Sequence, residues 1–312
     1  MKKMNKCLYC YQELHKDTGF HKTCSKQFFG TEKPPILSYS LDEMAELANE
    51  VIVRSISVPG VQPKLSMSIL KEQTESRLTV VGALGGNFIF KPPSKDYIDM
   101  PENEHLTMKM AQLFGIEVVP HSLIKLASGE LAYITKRIDR TKDGNKIHML
   151  DFYQITEAFD KYKSSLERVG KVISLHTENT LLDALRFFEL VVFSFITGNN
   201  DMHLKNFSLI LNNGNWSLSP AYDLLNVAIL NPKDDEEMAL SILGKKKRIT
   251  KQNLINFGLY LDLDKKQINN VFERFFALKQ TAINLVNVSF LSELMRKKYI
   301  ELLNLRYHTL KF

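Results

Sequence analysis

A chain of 312 residues, 44% hydrophobic and 24% charged, has an ordinary globular composition and room for one large two-lobed unit or two modest domains. Its formal net charge of +6 is mild for that length: it suits a protein that handles phosphate or sits on a complex containing nucleic acid, and does not itself indicate DNA binding. The most apolar run, Leu190 to Ile196, is broken by Ser194 and falls far short of the ~20 residues of a membrane span.

The N-terminal MKKMNKCLYC has lysines but no apolar segment behind them, so it does not read as a signal peptide. All three cysteines precede residue 25, too few for a disulfide framework, and they fit a reducing cytoplasm. Cys7-x₂-Cys10 followed by His21-x₂-Cys24 has the spacing of a tetrahedral Zn²⁺ site, with His15 as an alternative ligand. The competing reading makes Cys7 and Cys10 small packed hydrophobes and His21 a surface residue. Residues 1–33 thus form a zinc-ribbon-like segment, set off by Pro34 and Pro35.

Ser40-Leu41-Asp42-Glu43 reads as a capping box opening an amphipathic helix to about Val53. Strand-like runs follow at Lys64–Leu70, Leu78–Val81, Asn87–Lys91, Val118–Leu126 and Leu131–Ile138, interrupted by a helix over Glu102–Phe114. After Asp151 the pattern is helical, except for a strand-and-turn insert between about Gly198 and Leu225. Leu181 to Ile196 is apolar on nearly all sides and predicts a buried central helix. Leu291 to Leu310 predicts a last amphipathic helix with its lysines and arginines outward. Lys245 to Arg248 reads as a solvated basic face, and Phe187, Phe188, Phe193 and Phe195 as helix core. The expected class is α+β: a sheet-rich lobe over 36–140, a helical lobe over 141–312, and a ligand cleft between them.

Chemistry concentrates after the buried helix, in Gly198-Asn199-Asn200-Asp201-Met202-His203-Leu204-Lys205-Asn206. An aspartate and an asparagine five apart on a loop before an apolar strand suit phosphoryl transfer: one accepts a hydroxyl proton, the other offers an amide oxygen to Mg²⁺. Lys205 can neutralise phosphate charge. Ser219-Pro220-Ala221-Tyr222-Asp223 adds a second acidic residue of the kind a Mg²⁺ needs. Alone, the Asp-x₄-Asn spacing would be read first as a turn; the two segments together, in this order, reverse that.

Together these motifs resemble the catalytic and metal-binding segments of the HipA-like kinase toxins, most of all the short HipT-type members. The resemblance covers about Ser40 to the C-terminus and implies a two-lobed protein-kinase-like fold. It makes Asp201 the catalytic base, and Asn206 and Asp223 the Mg²⁺ ligands. It places His203, Lys205, Asn206 and Tyr222 around ATP. Ser55-Ile56-Ser57-Val58-Pro59-Gly60-Val61-Gln62-Pro63-Lys64 resembles the family's phosphate loop, so Pro59, Gly60, Val61, Gln62, Pro63 and Lys64 join the nucleotide site, with Ser57 and, secondarily, Ser55 as autophosphorylation sites. Lys91 ends an apolar strand, as a phosphate-pairing kinase lysine does, and either Glu102 or Glu104 could hold it. Lys136-Arg137-Ile138 resembles the adenine-contacting segment, though the family often has Glu and Phe at the first and third of these positions. The implied activity is serine/threonine kinase, with an aminoacyl-tRNA synthetase as protein substrate. The implied partners are a helix-turn-helix antitoxin, through which alone DNA is reached, and a small separate subdomain protein. A small-molecule kinase and a non-catalytic zinc-ribbon binding module are the rival readings.

Overall fold

The computed structural model describes residues 5–54, 64–71, 75–81, 85–141 and 143–311. Ser55, Ser57, Pro59, Gly60, Val61, Gln62 and Pro63 lie outside the described residues. The chain divides into two compact units: residues 1–105, 119–145 and 288–290 form one, and 106–118, 146–287 and 291–312 the other.

The first unit contains helices α1 (Lys22–Phe29) and α2 (Leu41–Arg54), strands β1 (Leu65–Lys71), β2 (Ser76–Val80) and β3 (Phe88–Lys91), the start of α3 (Met100–Leu113), and strands β4 (His121–Lys125) and β5 (Leu131–Lys136). The strands make one antiparallel sheet in the order β2-β1-β3-β5-β4. The capping box at Ser40 forms: its amide donates to Glu43 at 2.7 Å, and the Glu43 amide returns a bond to its hydroxyl at 3.4 Å. The cysteine segment is not a separate appendage. Cys7, Leu8, Phe20, Phe28 and Phe29 share one core with Leu65, Met67, Phe88, Phe90 and Ile134 of the sheet.

The second unit holds strand β6 (Met149–Asp151), helices α4 (Phe152–Ile155), α5 (Leu166–His176) and α6 (Thr180–Thr197), and a 3₁₀ turn over Leu204–Asn206. Strands β7 (Ser208–Asn212) and β8 (Asn215–Leu218) follow, then α7 (Val227–Leu230), α8 (Lys251–Tyr260), α9 (Lys265–Ala277), α10 (Lys279–Val288) and α11 (Glu293–Thr309). β6, β7 and β8 form a small antiparallel sheet. As its all-round apolarity predicts, α6 is buried, with Phe187, Phe188, Phe193 and Phe195 all fully inside. The basic run is a solvated face whose Lys246 and Lys247 pair with Glu236 and Asp235. One outward expectation fails: Arg306 of α11 is buried, paired with Glu237, and its guanidinium lies 4.6 Å from the Phe195 ring centre. A guanidinium can be accommodated inside because it keeps both an acidic partner and an aromatic face. Among the described residues no helix is long and apolar enough to cross a membrane.

Phe187 meets Phe207 edge-on at 5.3 Å and Phe257 at 5.9 Å. It therefore ties α6 to the residue that directly follows Asn206. Phe187→Ala is expected to cost about 3–5 kcal/mol in chemical denaturation. A loss below about 1 kcal/mol would show that this contact does not anchor the loop.

Candidate active site

α6 ends because Gly198 takes the left-handed conformation (φ 68°), with its amide bonded to the carbonyls of Ser194 and Phe195. A side chain is excluded there on space as well. A Cβ would lie 2.3 Å from Leu302 Cδ2 and 2.9 Å from Asn226 Oδ1. The chain therefore turns sharply out of the most buried helix, and Asn199 and Asn200 are held inside. Asn200 donates to the Glu236 carbonyl at 2.9 Å.

Asp201 comes next and is only partly covered. Its backbone carbonyl accepts the His203 amide at 2.8 Å and the Asn206 side-chain amide at 2.8 Å. The latter bond locks the two motif residues into one loop. It commits Asn206 Nδ2 to the loop, and Asn206 is buried. Asp201 Oδ1 accepts the Tyr162 hydroxyl at 2.8 Å, and Oδ2 lies 4.0 Å from His203 Nε2. The Tyr162 ring meets His203 edge-on at 5.1 Å. Burial first, and then the Asp201 charge, push the phenol's ionisation above its usual range, so Tyr162 is a donor. A hydroxyl at hydrogen-bond distance is the geometry a general base needs toward its substrate. Sequence reading missed Tyr162. It lies 39 residues upstream in a polar loop, and only folding brings it to Asp201.

Tyr222 is the second fastener. Its hydroxyl donates to the Lys205 carbonyl at 3.1 Å and shares a 2.5 Å hydrogen bond with Ser208. Burial dominates in raising its ionisation, with Asp151 and Asp223 adding to it and the Ser208 bond opposing it. Asp223 follows in the left-handed region (φ 60°), a strained conformation that turns the chain at this point. Lys205 is exposed, with Nζ 4.6 Å from the Tyr153 ring centre. The amide oxygen of Asn206 and the carboxylate of Asp223 are hard oxygen atoms of the kind that could hold Mg²⁺.

In the sheet-bearing unit, Lys91 Nζ bonds Glu104 Oε1 at 2.6 Å, with side chains only 4% and 1% exposed. Of the two candidate glutamates it is Glu104 that meets Lys91; among the described residues Glu102 makes no such pair. Lys64 is exposed just before β1. Lys136 Nζ sits 5.6 Å from the Phe28 ring centre, and its amide donates to the Pro120 carbonyl. The Arg137 amide donates to Asn87, and its guanidinium grips Asp139 through two bonds of 2.9 and 2.6 Å. Burial opposes the charge on Asp139, but Arg137 and Arg140 hold its carboxyl below the usual range. Ile138 is half-buried.

Cys7, Cys10, His21 and Cys24 place their ligand atoms all within 4.8 Å of one another, a group that could hold a metal ion. His15 is exposed and outside the cluster. Burial, then the charges of Cys7 and Cys10, push the Cys24 thiol up to about 12.

The family model described as HipA-like C-terminal domain matches residues 56–283, and the chain belongs to that family. A Haemophilus influenzae protein named "Putative kinase" is 30% identical over 224 residues, covering 67% of this chain and 62% of its own length. "Putative kinase Y4dM" of Sinorhizobium fredii is 32% identical over 270 residues, 80% of this chain and 64% of that one. The chain thus spans somewhat under two thirds of the length of these curated relatives. HipA of a Shewanella oneidensis toxin–antitoxin system, solved with HipB and operator DNA, superposes with a TM-score of 0.69 at 19% identity over 88% of this chain and 71% of that one. The Helicobacter pylori proinflammatory kinase CtkA gives 0.56 at 15% identity, over 81% and 90%. The fold is that of HipA and CtkA.

Glu102, two residues before Glu104, is itself largely enclosed. Burial, with Asp99 adding, raises its carboxyl from 4.5 to about 7. The native state then binds a proton that the unfolded chain releases between those values, so stability falls as pH rises through that window. Glu102→Gln is expected to raise the melting temperature at pH 8 and change it little at pH 4. An equal shift at both pH values would rule this out.

Proposed function

We propose that this chain is an ATP- and Mg²⁺-dependent serine/threonine protein kinase acting as the toxin of a type II toxin–antitoxin pair. The observation that carries the reading is the buried Lys91–Glu104 pair. A lysine on the third strand held by a glutamate on the following helix is the arrangement protein kinases require for pairing nucleotide phosphates. Burying both charges costs several kcal/mol per ion before their attraction is counted, so the pair is weakly explained by stability alone.

In this reading Asp201 accepts the proton of a serine or threonine hydroxyl as that oxygen takes the γ-phosphoryl group, and ADP departs. Lys91 pairs the phosphates and Lys205 neutralises charge on the group in transfer. Asn206 and Asp223 would hold Mg²⁺, which supplies charge neutralisation on the β- and γ-phosphates. His203 and Tyr222 order the loop, residues 59–64 cover the phosphates, and the backbone of Lys136, Arg137 and Ile138 contacts adenine. A Zn²⁺ on the cysteine cluster is the structural ion.

The substrate in this reading is an aminoacyl-tRNA synthetase in the cytoplasm. The partners are a helix-turn-helix antitoxin, through which DNA is reached, and a small subdomain protein. The likeness to a HipA solved with HipB and operator DNA supports the antitoxin. Incubation with labelled ATP and a bacterial lysate should label a synthetase. Label appearing only in small molecules would replace this reading with a small-molecule kinase. Asp201→Asn should keep nucleotide binding while transfer falls by about 10²–10⁴-fold. Undiminished transfer would remove Asp201 from the role of base. Asp223→Ala should instead abolish the Mg²⁺-dependence of ATP affinity.

Ser57, with Ser55 secondary, is the autophosphorylation site of this reading. A phosphate there adds roughly −1.5 to −2 charge beside those of ATP and repels them. Mass spectrometry should find phosphate on Ser57 in wild type and not in Asp201→Asn, with lower ATP affinity than in Ser57→Ala. Equal affinity with and without the phosphate would dismiss the switch.

A further inference from the structure

The separations of His21 from two of the cysteines are those of a tetrahedral zinc site. Zn–S bonds of about 2.3 Å and Zn–N bonds of about 2.0–2.1 Å at tetrahedral angles place sulfur and nitrogen roughly 3.5 Å apart. His21 Nδ1 lies 3.4 Å from Cys10 Sγ and 3.7 Å from Cys24 Sγ. The other ring nitrogen is also arranged as at a metal centre. Nε2–H donates to the Glu13 carbonyl at 3.0 Å, which fixes the tautomer with the Nδ1 lone pair facing the thiols. Three thiolates and one imidazole select Zn²⁺ over hard cations.

What this segment touches matters more. Cys10 is followed by Tyr11 in the left-handed conformation (φ 69°). The hydroxyl makes a buried 2.8 Å bond with His105 Nδ1, and the two rings meet edge-on at 5.1 Å. His105 adjoins Glu104 on α3. From the other knuckle, α1 follows its N-cap His21 and delivers Phe28 and Phe29 against Phe88, at 5.8 and 6.1 Å. Phe88 opens β3, which ends in Lys91. One knuckle therefore abuts the helix bearing the glutamate, and the other the strand bearing the lysine. The backbone adds a third tie, from the Leu123 amide of β4 to the Leu8 carbonyl at 3.3 Å.

We propose that Cys7, Cys10, His21 and Cys24 bind one Zn²⁺, and that the segment folded by this ion is a clamp that seats α3 and β3 so that Lys91 meets Glu104. A segment of some thirty residues has little core of its own, and metal binding supplies the free energy that orders it. Tyr11 is a positioning residue: it acts on Glu104 through His105. With the kinase reading above, the clamp makes nucleotide affinity depend on zinc.

The test uses the full chain purified without chelator. Elemental analysis should find about one zinc per chain. Zinc is then stripped with a thiol-reactive agent and chelator, and restored after reduction. Hydrogen exchange should quicken at least about tenfold in 88–91 and 100–105 on stripping, stay unchanged in 180–197 and 293–309, and recover with Zn²⁺. Tyr11→Phe should keep its zinc, quicken exchange in 100–105, and weaken Mg·ATP binding about threefold to tenfold, the effect of one lost hydrogen bond. Absence of zinc, or iron in its place, overturns the site. Unchanged exchange in 88–91 and 100–105 on stripping, or equal loss of protection in 180–197, overturns the clamp. If zinc-loaded wild type binds no ATP, the kinase reading fails, while metal content and exchange still decide this one.

Discussion

The ion pair between Lys91 and Glu104 sets the terms for the sheet-bearing unit. Its two charges lie almost fully out of water, 2.6 Å apart. Such a pair is tolerated only when its geometry is held by everything around it, because separating the partners would leave a buried charge uncompensated. The sheet places Lys91 at the end of β3, between β1 and β5. The Tyr133 ring lies 5.4 Å from its ammonium. The helix places Glu104 in its second turn, next to a histidine that is itself bonded to Tyr11. Core and cysteine segment are thus parts of one scaffold, which explains why Cys7 and Phe28 belong to the same apolar cluster as Phe90 and Ile134.

The helical unit solves a different problem: exposing a carboxylate at the end of its most buried helix. Gly198 makes the turn that a side chain could not, the Asn206 amide closes the loop onto the Asp201 carbonyl, and Tyr222 pins the far end to Lys205 and Ser208. Each fastener is a neutral hydrogen bond to backbone or hydroxyl. Packing of Phe187 on Phe207 carries the rigidity of the core to the residue after Asn206.

The two rival readings fare differently against these details. A buried lysine–glutamate pair and an aspartate on an ordered loop weigh against a binding module, since burying both charges is weakly explained by stability alone. A small-molecule kinase would use both. The distinction between the two kinase readings rests on the acceptor, which is a matter of chemistry outside the residues that make up the loop.

Much was legible from the residues alone, wherever the determining interactions are local. The capping box at Ser40, the apolar α6, the strand ending in Lys91 and the two-residue knuckles around Cys7 and His21 all depend on neighbours within a few positions. The spacing of Asp201 and Asn206 predicts one loop, and the observed bond between them lies within that loop. Tertiary structure alone decided the rest. Glu104 rather than Glu102 meets Lys91 because the helix rotation, set by packing, aims Glu104 at the end of β3. Tyr162 reaches Asp201, and Tyr11 reaches His105, across 39 and 94 positions. Arg306 turns inward despite its charge because Glu237 and Phe195 await it. Sequence periodicity specifies which face of an element is apolar, but pairings between distant polar groups are set only when the packed core brings their elements together.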